Sequence, residues 1–252
     1  GYKDGEKDEK EDMEDDMEDE EIDLEDMSEE DLKSFIEDVI ADMVTSGELE
    51  AGEEFDWVAG GTDLIPNYKW HINTKPHVIS LAKIAGIDSI SLTEIGCMAR
   101  LHDLAEGGNA HPLVAEAASK VASSLIRRNA TLGGNLCLDT RCFWYNQTEE
   151  WRSSIDWCHK CDCGTGSDCR VIPNQNELCV ATYQGDIAPT LMVLNATAHL
   201  IGPNGPRNVL VNEFYQLDGM TRNILQPGEF MLKVTLPDDV EDWIGAYRKL
   251  RV

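Results

Sequence analysis

Ala130-Thr131-Leu132-Gly133-Gly134-Asn135-Leu136 runs directly into Cys137. Two consecutive glycines beside a threonine hydroxyl make a turn whose backbone N–H groups can approach an anion closely, because no Cβ stands in the way. Seven of the chain's eight cysteines lie between Cys137 and Cys179; the eighth, Cys97, stands alone in a short apolar stretch. Clustered thiols next to a phosphate-cradling type of turn place a candidate metal centre beside a candidate nucleotide site.

Upstream, Ala59-Gly60-Gly61-Thr62-Asp63-Leu64 repeats this chemistry at the end of an expected strand, Phe55-Asp56-Trp57-Val58-Ala59. Neither turn is a GxGxxG fingerprint or a Walker A motif. Downstream, Gly185-Asp186-Ile187-Ala188-Pro189 supplies a third polar loop tip. The three could converge on one dinucleotide or be unrelated turns. Cys142, Cys158, Cys169 and Cys179 are separated by 15, 10 and 9 residues, with Cys161 and Cys163 between them. Only Cys158 and Cys161 form a tight zinc-knuckle pair, so spacing alone leaves an iron–sulfur cluster, zinc, and disulfides or free thiols open.

Around these motifs the chain reads as mixed helix and strand, an α+β or α/β fold. Strands are expected at 55–59, 77–81, within 91–98, and at 199–202, 230–236 and 245–252. Pro112 opens a helix whose buried face is Leu113, Val114, Ala117, Val121, Ala122, Leu125 and Ile126, and a helical turn follows at 188–194. Residues 142–179 are loop-like, an unusual length unless something orders them.

Charge is unevenly distributed. Residues 1–56 carry 27 acidic and 4 basic side chains, and the remainder 21 and 17. Residues 1–27 are therefore expected to be an acidic disordered extension, since like charges repel and little can be buried. Ser28 caps an amphipathic helix with Leu32, Phe35, Ile36, Val39, Ile40, Met43 and Val44 on one face, stopping near Gly47. No basic face suits nucleic acid, no apolar run suits a membrane span, and thiol-rich chains without a signal sequence are expected in the cytoplasm.

The three glycine-bearing motifs resemble the FAD-binding subunits of the xanthine oxidase family of molybdenum hydroxylases. Cys137-Leu138-Asp139-Thr140-Arg141-Cys142-Phe143-Trp144-Tyr145-Asn146-Gln147, followed by Trp151-Arg152, is similar to the 4-hydroxybenzoyl-CoA reductase beta-subunit branch, which adds a [4Fe–4S] loop. The resemblance covers about residues 57–252. It implies two subdomains, 28–86 and 87–238, with FAD between them, a cluster loop inserted at 138–181, and at 239–252 the start of a truncated C-terminal domain. Ala59, Gly60, Gly61, Thr62, Asp63 and Leu64 would bind the FAD pyrophosphate. Thr131, Gly133, Gly134 and Asn135 would line the second loop. Asp186 and Lys249 would sit near the flavin. Cys142, Cys158, Cys169 and Cys179 would be the cluster ligands. Cys137 belongs to the flavin loop, and Cys161 and Cys163 have no assigned role.

The implied function is electron transfer in an oxidoreductase subunit without a catalytic residue of its own. The cofactors do the chemistry and the protein sets distances and potentials. A ferredoxin-like donor would supply electrons, and a [2Fe–2S] small subunit and a molybdenum-cofactor large subunit would complete a hetero-oligomer. The substrate site, on the large subunit, would reductively dehydroxylate 4-hydroxybenzoyl-CoA. Two alternatives stand beside this: an oxidative hydroxylase of aldehydes or N-heterocycles, and a zinc-stabilised interaction module without flavin.

Overall fold

The computed structural model describes residues 54–160, 168–175 and 177–250. The expected acidic extension, the helix expected after Ser28, and Cys161 and Cys163 lie outside the described residues. In chain order the elements are β1 (Phe55–Val58), α1 (Leu64–Lys69), β2 (His77–Ser80), β3 (Glu94–Gly96), α2 (Leu101–Glu106), α3 (Pro112–Ser119), α4 (Ser124–Arg127), α5 (Leu132–Leu136), α6 (Glu149–Ser154), α7 (Ala188–Val193), β4 (Thr197–Ile201), β5 (Arg207–Leu210), α8 (Val211–Phe214) and β6 (Phe230–Thr235).

Two sheets result. β1 and β2 pair in parallel, Phe55 opposite His77 and Val58 opposite Ser80, joined by α1. The second sheet is antiparallel in the order β3-β6-β4-β5. It is an α+β fold. Alternation along β4 sends Ala198 and Leu200 into the core, and α5 packs across β3 and β6, so Leu132, Leu136, Ile95, Val234 and Leu191 are almost completely buried. The second glycine turn is thus part of a core-packed helix, held rigidly over the sheet.

Three expectations change. The helix beginning at Pro112 stops at Lys120: Ala122 adopts φ 40°, and Ser123 accepts from the Ile126 amide to open the separate α4. Leu125, expected in the core, is 73% exposed. Residues 142–179 contain α6, capped by Thr148, whose hydroxyl accepts from the Trp151 amide. Residues 245–250 form no strand. No neighbouring strand offers a ladder, and the segment is held by side chains instead: the Tyr247 amide donates to Glu116 (3.5 Å) and Lys249 pairs with Asp186 (2.6 Å). Among the described residues no helix is long and apolar enough to cross a membrane.

The 226–229 turn is locked by Glu229, which accepts from Arg207 Nε (2.7 Å), Arg207 Nη2 (2.8 Å) and the Gln226 amide (2.9 Å). Burial would raise this carboxyl's pKa, but the Arg207 and Gln226 bonds outweigh it and hold it below the usual carboxylate range. Its stabilisation is therefore present above the unfolded-state pKa of about 4.3 and is lost as pH falls through the folded value. Glu229→Gln should cost about 1–3 kcal/mol at pH 7, with the difference from wild type shrinking below about pH 4. Denaturant unfolding at both pH values checks this.

Candidate functional site

β1 ends at Val58 and delivers the first glycine turn to a cleft of about 850 Å³. Ala59, Gly60, Gly61, Thr62, Asp63 and Leu64 line it from one side, and Thr131, Gly133, Gly134 and Asn135 from the other. The turns touch: a Cβ on Gly60 would lie 1.8 Å from the Asn129 carbonyl oxygen, so glycine here lets the two loops meet. Gly61 adopts φ 66°, open to glycine without strain.

The turns differ in the donors they present. The amides of Gly60, Gly61, Thr62, Asp63 and Leu64 donate to no acceptor among the described residues. In the second turn Leu132 N donates to Ala99 O, Gly133 N to Cys97 O, Gly134 N to Thr131 Oγ1 and Asn135 N to Thr131 O. The first turn therefore carries the free donors an anion needs, while the second is a rigid wall. Gly134 is closely approached in that wall: a Cβ there would press on Thr131 Oγ1 at 3.0 Å and reach Ala59 Cβ at 4.0 Å.

Two further cleft residues escaped the sequence reading. Among the described residues, Trp57 Nε1 and Arg222 Nε are buried without a hydrogen-bond partner. Orphaned donors in a roomy cleft beside free backbone amides fit a large polar anionic cofactor such as FAD. No pattern announced Arg222, because it comes from a loop far along the chain.

Asp186 and Lys249 come together but do not line this cleft. Lys249 Nζ also donates to the carbonyl of Lys120 (3.2 Å), next to the cleft residue Val121. The pair sits beyond one rim. Asn135 links the regions: its side-chain oxygen accepts from Ile187 N (3.4 Å) and its carbonyl from Tyr183 OH (2.9 Å).

Cys97 and Cys137 line the cleft. Burial pushes Cys137 up to about 12, Arg222 pulling the other way, and burial drives Cys97 higher still. Thiolate is the reactive form, so both should resist iodoacetamide at pH 8 in the native chain and react after unfolding. Peptide mapping of the labelled cysteines checks this, and rapid native labelling of Cys137 would contradict it.

Cys142, Cys158, Cys169 and Cys179 line one small recess, of about 10 Å³. The last three are at most 8% exposed. The six described cysteines are free thiols. Among the described residues no three His, Cys, Asp or Glu side chains gather closely enough to bind one metal ion; the four thiols ring a space. Ile172 N donates to Cys169 Sγ (3.4 Å) and Ala181 N to Cys179 Sγ (3.5 Å), as suits anionic sulfur. Both ring nitrogens of His159, which also lines the recess, are buried without a partner among the described residues. These features fit an iron–sulfur cluster.

The loop carrying the thiols is held by buried cations. Arg152, 2% exposed, donates to the carbonyls of Trp70 (3.1 Å) and His71 (2.6 Å), with the rings of Tyr145 and Trp157 about it. Asp156 and Trp157 take φ 59° and 56°, unusual for such residues. Arg170 caps both carbonyls, at 2.9 and 2.8 Å, and this turn feeds Cys158 into the recess. Arg141, one residue before Cys142, pairs with Asp63 of the first glycine turn. The recess and the cleft are thereby tied together.

A cofactor-sized cleft between two glycine turns, with a thiol-ringed recess tied to one wall, defines a nucleotide-cofactor domain with an adjoining candidate metal centre. The family of FAD binding domains in molybdopterin dehydrogenases matches residues 39–239, and the chain belongs to it. It is similar to the aldehyde oxidoreductase FAD-binding subunit PaoB of Escherichia coli, 31% identical over 84% of this chain and 69% of the relative. Solved structures share the fold. Quinoline 2-oxidoreductase from Pseudomonas putida 86 matches with TM-score 0.54 at 17% identity, over 82% of this chain and 56% of that one. The CO dehydrogenase of Oligotropha carboxidovorans matches with TM-score 0.53 at 21% identity, over 83% and 56%. The chain spans a little over half the length of these solved chains. The reading as a flavin-free zinc module falls with the family membership.

Proposed function

We propose that this chain is the electron-transferring FAD subunit of a molybdenum enzyme, with FAD in the cleft and a [4Fe–4S] cluster on Cys142, Cys158, Cys169 and Cys179. The observation that carries it is the ring of four thiols fixed to the cleft wall by the Arg141–Asp63 pair. When bound, FAD would exchange one or two electrons and the cluster one. The chain's own residues do the rest. Free amides at Gly60 to Leu64 hold a pyrophosphate, and the wall at Thr131, Gly133, Gly134 and Asn135 fixes the cofactor's position. Tight packing keeps three of the four thiols from water. Asp186 and Lys249 would order the flavin end from the rim.

A molybdenum-cofactor large subunit and a [2Fe–2S] small subunit would be the partners, and the substrate would bind on the large one. Two directions of flow follow from two observations. The stretch from Cys137 to Gln147 favours reductive dehydroxylation of 4-hydroxybenzoyl-CoA with a ferredoxin-like donor. The likeness to an aldehyde oxidoreductase subunit favours aldehyde oxidation, with electrons leaving through this chain. The complex purified anaerobically through this chain decides between them. An aldehyde alone should bleach the flavin absorption if flow is outward. If flow is inward, 4-hydroxybenzoyl-CoA should restore absorption in complex already reduced by dithionite. A chain that recruits neither iron–sulfur nor molybdenum partners, and responds to neither substrate, would contradict the assignment.

A further inference from the structure

Between the recess and the cleft lies a buried ion pair that neither the glycine turns nor the cysteine spacing announces. The Lys160 side chain is 4% exposed, and lysine is almost never so buried unless paired. Its Nζ donates to Asp139 Oδ1 (2.9 Å), Thr140 Oγ1 (2.6 Å) and the Thr140 carbonyl (3.3 Å), and stands 4.7 Å from the centroid of the Tyr145 ring. Three acceptors use its three N–H groups, so the ammonium cannot swing away. Lys160 lines the thiol recess, and Asp139 lines the cleft. Arg222 reaches Asp139 from the cleft side at 3.8 Å. Lys160, Asp139 and Arg222 together carry a net positive charge across the wall.

Among the described residues the other cations near the recess are engaged elsewhere: Arg152 is buried over the Tyr145 ring but donates to the Trp70 and His71 carbonyls. Arg170 lines the recess, but its guanidinium is occupied by the Asp156 and Trp157 carbonyls and lies 3.9 Å from the exposed Asp156 carboxylate. Four thiolates on one cluster are a concentration of negative charge, and net charge and burial set such a cluster's potential.

We propose that Lys160 is the residue that sets the reduction potential of the thiol-bound cluster, and that its pair with Asp139 makes that potential sensitive to charge on the cleft side. This rests on the reading of the four thiols as [4Fe–4S] ligands. The lysine takes no part in bond making. A cluster held by these thiols would take up and release one electron, and Lys160, keeping its protons, would offset the charge of the reduced form. Partial neutralisation of the lysine by Asp139 makes the carboxylate the opposing control, so substitutions at the two positions should move the potential in opposite directions. A merely structural pair would give no such opposition.

The test is an anaerobic redox titration of the full chain loaded with iron, sulfide and FAD. The cluster is followed by electron paramagnetic resonance, the flavin by absorption, and iron is assayed in every sample. Lys160→Met should make the cluster at least tenfold harder to reduce, about 59 mV lower for a one-electron couple. Lys160→Arg should stay near wild type, and Asp139→Asn should make the cluster easier to reduce. Lys160→Met with full iron and an unmoved midpoint would overturn the inference alone. If Lys160→Met loses iron, Asp139→Asn decides: a raised midpoint supports the inference, and an unmoved or lowered one overturns it. Wild-type chain that takes up no iron would overturn the cluster reading and this inference with it.

Discussion

Serine at position 158 should strip the chain of its cluster iron and leave its flavin in place. Cys158 is 8% exposed and shares the recess with Cys142, Cys169 and Cys179. The turn through Asp156 and Trp157 that presents it is held by Arg170 and by the Arg152 stack, neither of which needs the thiol. A hydroxyl is a poor ligand for iron–sulfur iron, so iron should fall from about four per chain to near none. Cys169→Ser should do the same. FAD content should hold, because no atom of either residue lines the cleft. Cys161→Ser and Cys163→Ser should keep iron, and they show whether the ligand set is rightly chosen. Unchanged iron in Cys158→Ser would mean the wrong four cysteines were picked.

Leucine at position 134 should abolish FAD binding without unfolding the chain. The Gly134 amide bonds to Thr131 Oγ1, and an added Cβ would press on that hydroxyl at 3.0 Å, a contact that a shift of a few tenths of an ångström in the Thr131 side chain relieves. The rest of that side chain has only the cleft to occupy. Flavin occupancy should fall at least a hundredfold, with the unfolding midpoint of the apoprotein within a few degrees of wild type. Gly60→Ala is the contrast. Its Cβ would collide with the Asn129 carbonyl at 1.8 Å, so this variant should lose stability before any question of ligand arises. Overpacking of that kind costs about 1–3 kcal/mol or more. If Gly134→Leu kept full flavin, the cofactor would lie elsewhere.

The two glycine turns were legible because glycine pairs beside threonine are local signals, but their meeting in one cleft was left open by the sequence and comes from the fold. Their division of labour was not legible. Both look like amide cradles in sequence, yet among the described residues only the first has free amides, because the carbonyls of Cys97 and Ala99, some 35 residues upstream, and Thr131 itself consume those of the second. Strands with alternating or continuous apolar patterns, such as β4 and β6, were readable; β5 was missed, because Arg207-Asn208-Val209-Leu210 pairs as a half-exposed edge with no clear period. The apolar spacing after Pro112 predicted one long helix, and a left-handed Ala122 split it. The cysteine loop read as structureless because its order comes from buried Arg152 and Lys160, whose partners are backbone carbonyls and a distant carboxylate. Periodicity cannot report such contacts. The segment 245–250 read as a strand from its residue types, but strands need a neighbour, and here charged side chains hold it instead.

The central claim is that one chain holds both a flavin and a four-iron cluster. Purifying it anaerobically and measuring iron, acid-labile sulfide, zinc and FAD together with the visible spectrum tests that claim most directly. The account predicts one FAD and about four irons and four sulfides per chain, with flavin bands on a broad shoulder that dithionite bleaches. Flavin bands without iron, or a colourless chain holding one zinc ion, would contradict it.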